Sequence, residues 1–207
     1  VKVTFTIIRM NEDHETTIVI PARPGAGGSK FPFTDVGRND DCYDAVKYLY
    51  ENEIMNGTSD TLFSPNAELT RGMVVTILYR MEGEPFTLGS KSFSDVKAGR
   101  YYSEAVEWAA ENGIVNGFTD GTFKPDQAVT REQLASILRR YASFSGIATY
   151  DAELPANASV SNWAKKDVAW AYAEGILTSA QTAAAAKNAN RAEVAMAIYA
   201  YLTGTAR

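Results

Sequence analysis

The chain contains an internal repeat of sixty residues, and this repeat constrains its fold more than any other feature. Phe-Thr-Asp-Val at 33–36 returns as Phe-Ser-Asp-Val at 93–96, and further motifs return at the same spacing without a gap. Self-similarity at a fixed period is the signature of stacked structural units that bury their apolar faces against one another. The further matches are Asp44-Ala45-Val46 with Glu104-Ala105-Val106, Asn56-Gly57 with Asn116-Gly117, Phe63-Ser64-Pro65 with Phe123-Lys124-Pro125, and Thr70-Arg71 with Thr130-Arg131.

A third, divergent copy follows within residues 150–207. Asp167-Val168-Ala169-Trp170 repeats residues 105–108 at an offset of 62, whereas Asn190-Arg191-Ala192-Glu193 repeats residues 130–133 at an offset of 60. The loop between these motifs is therefore two residues shorter, and residues 179–188 include no glycine, proline or aromatic residue. We expect the third copy to keep its helices and to lose its loop.

Each copy predicts a helix, a loop and a second helix. The second helix follows Thr70, Thr130 or Asn190, whose side-chain oxygens cap helices, and Gln133 and Glu193 have capping-box spacing. Apolar residues then recur at helical spacing, and three such helices can bury their apolar stripes together. The sequence therefore predicts a mainly α fold around a central three-helix bundle. The predicted first helices cover 41–54, 102–112 and 162–174, within repeats 31–86, 91–146 and 150–207.

Residues 1–30 do not belong to the repeat. Alternating apolar residues from Val1 to Ile7 and a β-prone stretch at 16–20 predict a hairpin, and a segment rich in proline and glycine at 21–28 predicts a linker. The segment is either the tail of a preceding β domain or a small strand pair packed on the helices. His14 falls in the polar turn, where we expect a solvated side chain rather than a ligand.

Composition excludes several classes of function. A net charge of −5 and a pI of about 5.0 argue against non-specific binding of nucleic acid. No apolar run is long enough to span a membrane, so we predict no membrane insertion. The single cysteine, Cys42, excludes an intrachain disulfide and a zinc cluster, and we expect it to be a small buried residue. No catalytic motif, cofactor loop or metal-spaced cluster is present, which argues against an enzyme.

An ordered set of motifs closely resembles the S-layer homology domain. These motifs are Phe-Ser-Asp-Val (93–96), Gly-Ile-Val-Asn-Gly (113–117), Asp-Gly-Thr-Phe-Lys-Pro (120–125) and Thr-Arg-Glu-Gln (130–133). The resemblance implies three tandem copies in a pseudo-threefold arrangement, a monomeric pseudo-trimer with grooves between neighbouring repeats. It further implies that the grooves bind secondary cell-wall polysaccharide of Gram-positive bacteria, often through a pyruvate ketal on a terminal amino sugar. The function implied is non-covalent anchoring of an extracellular surface protein to the cell wall.

Three arginines are the main candidates for binding residues. Arg71, Arg131 and Arg191 each follow an N-cap, at the end of a helix where unpaired N–H groups and partial positive charge favour anions. A guanidinium adds a planar, bidentate partner for a carboxylate, such as that of the implied ketal. Arginine at this position opposes the helix dipole by roughly 0.3–1 kcal/mol, so three occurrences require a compensating partner. That partner is either a ligand or an acidic loop of the preceding repeat, and the remaining alternative is an arginine side chain that extends into solvent.

Other candidates supply polar edges, backbone freedom or a flat surface for a sugar. Each carboxylate candidate precedes a first helix, where we expect it to cap N–H groups, although it can also accept from a sugar hydroxyl. The glycines are expected to have positive φ or to let backbone approach a ligand. The aromatic candidates lie on first helices, where core packing competes with sugar contact. The candidates are Asp35 and Asp95, Gly57 and Gly117, and Trp108, Trp170 and Tyr48.

The divergence of the third copy predicts that at most two grooves bind well. Leu154-Pro155-Ala156 stands where Phe-Ser-Asp is expected, so that copy lacks both the aspartate and the glycine loop. The working grooves are then expected to be those that use Arg71 and Arg131. The alternative is a structural or protein-interaction module with no carbohydrate binding.

Overall fold

The computed structural model describes residues 31–204, together with the short strands Phe5–Thr6 and Thr17–Ile18. Each repeat supplies two main helices, so the described chain is mainly helical, as the sequence predicted. A 3₁₀ turn at Asn162–Ala164 precedes the first helix of the third repeat. The first helices are α1 (Tyr43–Glu51), α3 (Ser103–Glu111) and α5 (Lys165–Ala173), and the second helices are α2 (Arg71–Met81), α4 (Arg131–Phe144) and α7 (Arg191–Thr203).

The second helices begin where their capping residues predicted. The Thr70, Thr130 and Asn190 side chains each accept a hydrogen bond from the backbone N–H three residues further on. In α4 and α7 the side chain of the residue at that third position accepts a hydrogen bond from the backbone N–H of the cap, which completes both predicted capping boxes. These short-range bonds satisfy N–H groups that a helix start leaves without an intrahelical partner.

The first helices end at residues in the left-handed region. Gly113 and Gly175 have φ of +69° and +65°, and in the first repeat Glu53 takes the same place with φ of +58°. A side chain in this conformation costs roughly 1–2 kcal/mol relative to the right-handed region. The first repeat therefore keeps the turn geometry of its neighbours without the glycine.

The loop of the third repeat is reorganised rather than lost. A one-turn helix, α6 (Ser179–Thr182), replaces the turn found in the other repeats. Thr178 and Gln181 form a capping box at its start, and alanines continue from its end. The expectation that this copy had simply lost the loop is therefore wrong, because a local capping signal and an alanine-rich run supply a different structure.

Helices pair across repeat boundaries in a closed cycle. The second helix of each repeat packs against the first helix of the next, so α2 packs on α3, α4 packs on α5, and α7 packs on α1. The C-terminal ends of the second helices also meet, because Tyr141 Oη donates to Glu82 Oε1 at 2.6 Å and the Tyr141 and Tyr201 rings lie 5.5 Å apart. Each second helix thus has packed neighbours on several sides.

Three backbone hydrogen bonds join the segments that precede the second helices. Leu69 N donates to Ala189 O (3.3 Å), Ala189 N to Val129 O (2.8 Å), and Val129 N to Leu69 O (2.9 Å). The three residues occupy equivalent positions in the sixty-residue repeat, and each is fully buried. These three bonds connect the three segments in a closed cycle.

The predicted hairpin falls mainly outside the described residues. Its described part is the antiparallel pair of Phe5–Thr6 with Thr17–Ile18, in the register Phe5 to Ile18 and Thr6 to Thr17. The linker and His14 lie outside the part of the chain that the structure describes. No helix within residues 31–204 is long and apolar enough to cross a lipid bilayer.

The shared core predicts a large cost for truncating a second helix. Leu138 lies in α4 at the position of Leu78 in α2 and Ile198 in α7, and all three side chains are fully buried. Leu138→Ala should lower the free energy of unfolding by about 2–5 kcal/mol, measured by urea denaturation. Leu88 is 80% exposed, so Leu88→Ala should change it by no more than about 0.5 kcal/mol. Equal effects would contradict the common core.

Candidate ligand-binding grooves between repeats

Each second helix inserts its first turn against the loop of the next repeat. Arg71 N donates to Gln127 O and Gly72 N to Pro125 O, both at 2.9 Å. These bonds use N–H groups that the sequence analysis expected to be open to a ligand, so that part of the expectation is wrong. The equivalent bonds are Arg131 N to Lys187 O, Glu132 N to Ala185 O, Arg191 N to Ala67 O and Ala192 N to Pro65 O.

We refer to the three junctions between a helix start and the loop that faces it as the candidate grooves, and we name each after its arginine. The Arg71 groove lies between α2 and residues 117–127, the Arg131 groove between α4 and residues 178–187, and the Arg191 groove between α7 and residues 56–67. In all three the arginine side chain enters the loop of the following repeat, with repeat 1 following repeat 3.

Arg71 is a buried cation held on aromatic rings. Its side chain is 7% exposed, and Nε donates to Phe123 O at 2.8 Å. Its Cζ lies 4.6 Å from the Phe123 ring centroid and 4.8 Å from that of Phe118. These distances are within cation–π range, so the rings orient the guanidinium and partly offset its burial.

The Arg71 charge has no carboxylate contact among residues 31–204. No carboxylate oxygen in that range lies within 4.0 Å of its guanidinium, and both Nη groups make no hydrogen bond to the described residues. Burial lowers the Arg71 pKa to about 10, an effect that the charge of Asp95 opposes and that of Arg140 adds to. The group is still charged at neutral pH. A desolvated charge of this kind is costly unless an anion pairs with it.

Arg191 repeats this geometry against the first repeat. Nε donates to Phe63 O and Nη2 to Asn56 O, both at 2.7 Å, and Cζ lies 4.6 Å from the Phe63 ring centroid. Burial lowers the Arg191 pKa, and the charge of Asp35 opposes that shift. No carboxylate within residues 31–204 forms an ion pair with Arg191.

Arg131 differs, because a carboxylate of the protein already holds it. Nη2 donates to Glu193 Oε1 at 2.7 Å and Nε to Glu193 Oε2 at 3.2 Å, while Nη1 donates to Ala184 O at 3.1 Å. The compensating partner of Arg131, which was expected in a working groove, is thus an acidic residue of the next repeat. Arg191, expected to be the weaker candidate, has no such partner among residues 31–204.

Asp35 and Asp95 organise the loops rather than cap the first helices. Asp95 accepts from Phe123 N at 2.8 Å and Lys124 N at 2.7 Å, and Asp35 accepts from Phe63 N at 2.9 Å and Ser64 N at 2.7 Å. Neither the cap of α1 nor that of α3 has a side-chain hydrogen bond. The preference for helix capping is therefore wrong. Each carboxylate instead fixes the backbone that carries the ring under an arginine.

Gly57 and Gly117 make room for an aromatic ring of their own repeat. A Cβ on Gly117 would lie 2.3 Å from the Phe93 ring, and one on Gly57 would lie 2.4 Å from the Phe33 ring. Positive φ was one of the two expected reasons for glycine at these positions, and it occurs at Gly117 (+69°) but not at Gly57. The close approach in each case is to a phenylalanine ring of the same repeat.

The aromatic candidates on the first helices belong to the core. Trp108 is 3% exposed and packs between Tyr79 and Phe144, and Trp170 is fully buried. Their expected contact with a sugar is therefore wrong, because a buried ring presents no face to a ligand. Tyr48 is half-buried, and its ring contacts that of Tyr199 at 5.3 Å. Cys42 is buried, as expected for a small apolar residue.

The sequence analysis missed the rings and the cation that complete the Arg71 groove. Phe123 and Phe63 were recognised as repeat landmarks but not as supports for an arginine. Phe118 was not predicted to be a site residue. Its ring contacts a second cation as well, because Lys124 Nζ lies 4.2 Å from the ring centroid. The aromatic residue two positions before each loop proline was the available signal. Within residues 31–204, no cluster of histidine, cysteine, aspartate and glutamate is suited to hold a metal ion.

Comparison with known proteins agrees with the two well-preserved repeats. The sequence profile of the S-layer homology domain matches residues 32–72 and 92–135. These two segments are thus similar to the S-layer homology domain, which is a cell-wall anchoring module. The third repeat lies outside both matched ranges.

Similar proteins include surface-layer and anchoring proteins as well as an enzyme. An endoglucanase of Bacillus sp. is 38% identical over 110 residues, which is 53% of this chain and 12% of the endoglucanase. The surface-layer 125 kDa protein of Lysinibacillus sphaericus is 28% identical over 67% of this chain and 12% of its own length. The cellulosome-anchoring protein of Acetivibrio thermocellus is 25% identical over 64% of this chain and 30% of its own length.

This chain therefore spans a small part of each of these relatives, at most 30%. What they share with it is a cell-wall anchoring module rather than a catalytic domain. The matches locate the chain at the cell surface or cell wall.

The loop carboxylates should be needed for stability. In Asp95→Asn, an NH₂ group replaces one carboxylate oxygen and faces a backbone N–H. One hydrogen bond is therefore lost, and two hydrogen-bond donors face each other. We expect the free energy of unfolding to fall by about 1–3 kcal/mol, measured by urea denaturation. Asp60 is exposed, and Asp60→Asn should change it by less than about 0.5 kcal/mol. An unchanged Asp95→Asn protein would refute the structural role.

Proposed function

We propose that this module anchors a surface protein to the cell wall by binding secondary cell-wall polysaccharide in the grooves between its repeats. The observation that carries the proposal is the buried Arg71 guanidinium, which rests on two rings and has no carboxylate partner among residues 31–204. Its Nη groups remain for a carboxylate to bind in the bidentate manner that arginine favours. The resemblance to S-layer homology domains suggests that the carboxylate is that of a pyruvate ketal on a terminal amino sugar.

The Arg191 groove is the second site in this proposal. It has the same arginine-on-phenylalanine arrangement, with the loop carboxylate of Asp35 placed as Asp95 is in the Arg71 groove. Arg191 already donates from Nη2 to Asn56 O, so fewer donors are left for a ligand than at Arg71. We therefore rank the Arg71 groove first.

The Arg191 groove requires residues 150–203 to act as a divergent third copy. The helix start at Arg191 makes the same backbone bonds to the first repeat that Arg71 makes to the second. This equivalence supports assigning the segment to the same repeat despite its altered loop.

Titration of the protein against purified wall polysaccharide tests the proposal. Arg71→Lys keeps the positive charge but removes the planar fork, and Arg71→Ala removes both. Loss of a charge-assisted bidentate contact should weaken binding about ten- to a hundredfold in either variant, measured by calorimetry. Arg191→Ala should weaken it less.

Arg80→Ala serves as the matched control. Arg80 is an exposed arginine at the other end of the same helix, so its removal changes the net charge equally but leaves the groove intact. Its affinity should equal that of the unmodified protein. Undiminished affinity in the Arg71→Ala, Arg191→Ala double variant would exclude the grooves as binding sites.

A protein-interaction role is the second candidate, and one observation favours it. Phe86, the last residue of the first repeat, and Leu88, just after it, are 89% and 80% exposed. Exposed large apolar side chains of this kind are common at protein interfaces. Sedimentation with cell-wall sacculi separates the two roles, because stripping the polysaccharide should abolish co-sedimentation only if the polysaccharide is bound.

A further inference from the structure

Glu193 occupies the position that a ligand carboxylate would take on an arginine fork. Its two oxygens accept from Nη2 and Nε of Arg131, and the side chains are 14% and 17% exposed. Water therefore screens this pair little, and the pair is bidentate, which is the strongest arrangement for an arginine and a carboxylate. The residue belongs to the third repeat, whereas Arg131 belongs to the second.

The equivalent position differs in the other two grooves. Glu193 is the third residue of α7, and the third residues of α4 and α2 are Gln133 and Met73. In the Arg71 groove the position of Glu193 is taken by Gln133, from the second repeat. In the Arg191 groove it is taken by Met73, from the first repeat. The two grooves that keep an arginine without an ion pair are thus those in which this position carries no charge.

We propose that Glu193 is an internal carboxylate that closes the Arg131 groove to anionic ligands and so limits the module to the other two grooves. The inference rests on the proposed function, since it assigns the determinant that decides which grooves bind. Glu193 is in this sense a specificity-determining residue.

A further contact holds the Glu193 carboxylate in place. Glu193 Oε2 also accepts from Asn190 N at 3.2 Å, so moving the carboxylate away from Arg131 disrupts the capping box as well. An anionic sugar would meet the Glu193 carboxylate at Arg131, whereas no carboxylate of residues 31–204 is bonded to the guanidinium of Arg71.

The loop of the third repeat explains why Arg131 turns toward Glu193. Phe63 and Phe123 support Arg191 and Arg71 through their rings and accept from Nε through their carbonyls, and Ala183 stands at their place in the third repeat. Without a ring, the Arg131 guanidinium has no flat surface to rest on. Glu193 supplies the partner for Nε instead.

A pair of reciprocal substitutions tests the inference. Glu193→Gln removes the charge and keeps the cap, since Gln133 completes the equivalent capping box in α4. Gln133→Glu places a carboxylate at the matching position of the Arg71 groove. With a synthetic pyruvate-ketal amino sugar as probe, calorimetry should show one more site per chain in Glu193→Gln and one fewer in Gln133→Glu. An unchanged number of sites in either variant overturns the inference.

Two controls keep this result distinct from the proposed function. Unmodified protein that binds no probe refutes the proposed function, whereas unmodified protein that binds while both variants keep the same number of sites refutes only the role of Glu193.

Hydrogen exchange of the Arg131 Nε–H, followed by ¹⁵N NMR without ligand, gives an independent readout. Exchange should be slow in the unmodified protein and at least severalfold faster in Glu193→Gln. Equal exchange rates would contradict the proposed role of the Arg131–Glu193 pair. Circular dichroism checks that both variants fold.

Discussion

Backbone hydrogen bonds that pass from each repeat to the next determine both the fold and the position of the grooves. Leu69, Val129 and Ala189 bond in a closed cycle, and the first N–H groups of each second helix bond to loop carbonyls of the following repeat. Because these contacts use main-chain atoms, side chains in the loops can change without moving the helix starts. This explains how the third repeat retains its position although its loop sequence has diverged.

Side chains then make chemically different sites on this common frame. All three arginines enter a neighbouring loop, yet only Arg71 and Arg191 have a phenylalanine beneath them. At Arg131 the ring is absent and Glu193 takes the guanidinium. A desolvated cation without an ion pair is unfavourable for the free protein, so the proposed binding of an anion at Arg71 would stabilise the folded protein. At Arg131 the carboxylate of Glu193 already pairs with the guanidinium.

The features that the sequence predicted are those encoded over short distances. The N-caps at Thr70, Thr130 and Asn190 act within three residues, and the repeat period fixed which segments are equivalent. The errors concern contacts between distant residues. Arg131 and Glu193 are 62 positions apart, so no local pattern identifies them as a pair. Trp108 and Trp170 lie on amphipathic helices whose period cannot tell which faces the neighbouring repeat will cover.

A structure determined with a bound pyruvate-ketal amino sugar tests the central claim most directly, because it reports each groove separately. We expect a carboxylate on the Nη groups of Arg71, with Phe118 and Phe123 still beneath the guanidinium, and an Arg131 that remains paired with Glu193. A sugar bound away from the arginines, or a carboxylate on Arg131 in place of Glu193, would contradict it.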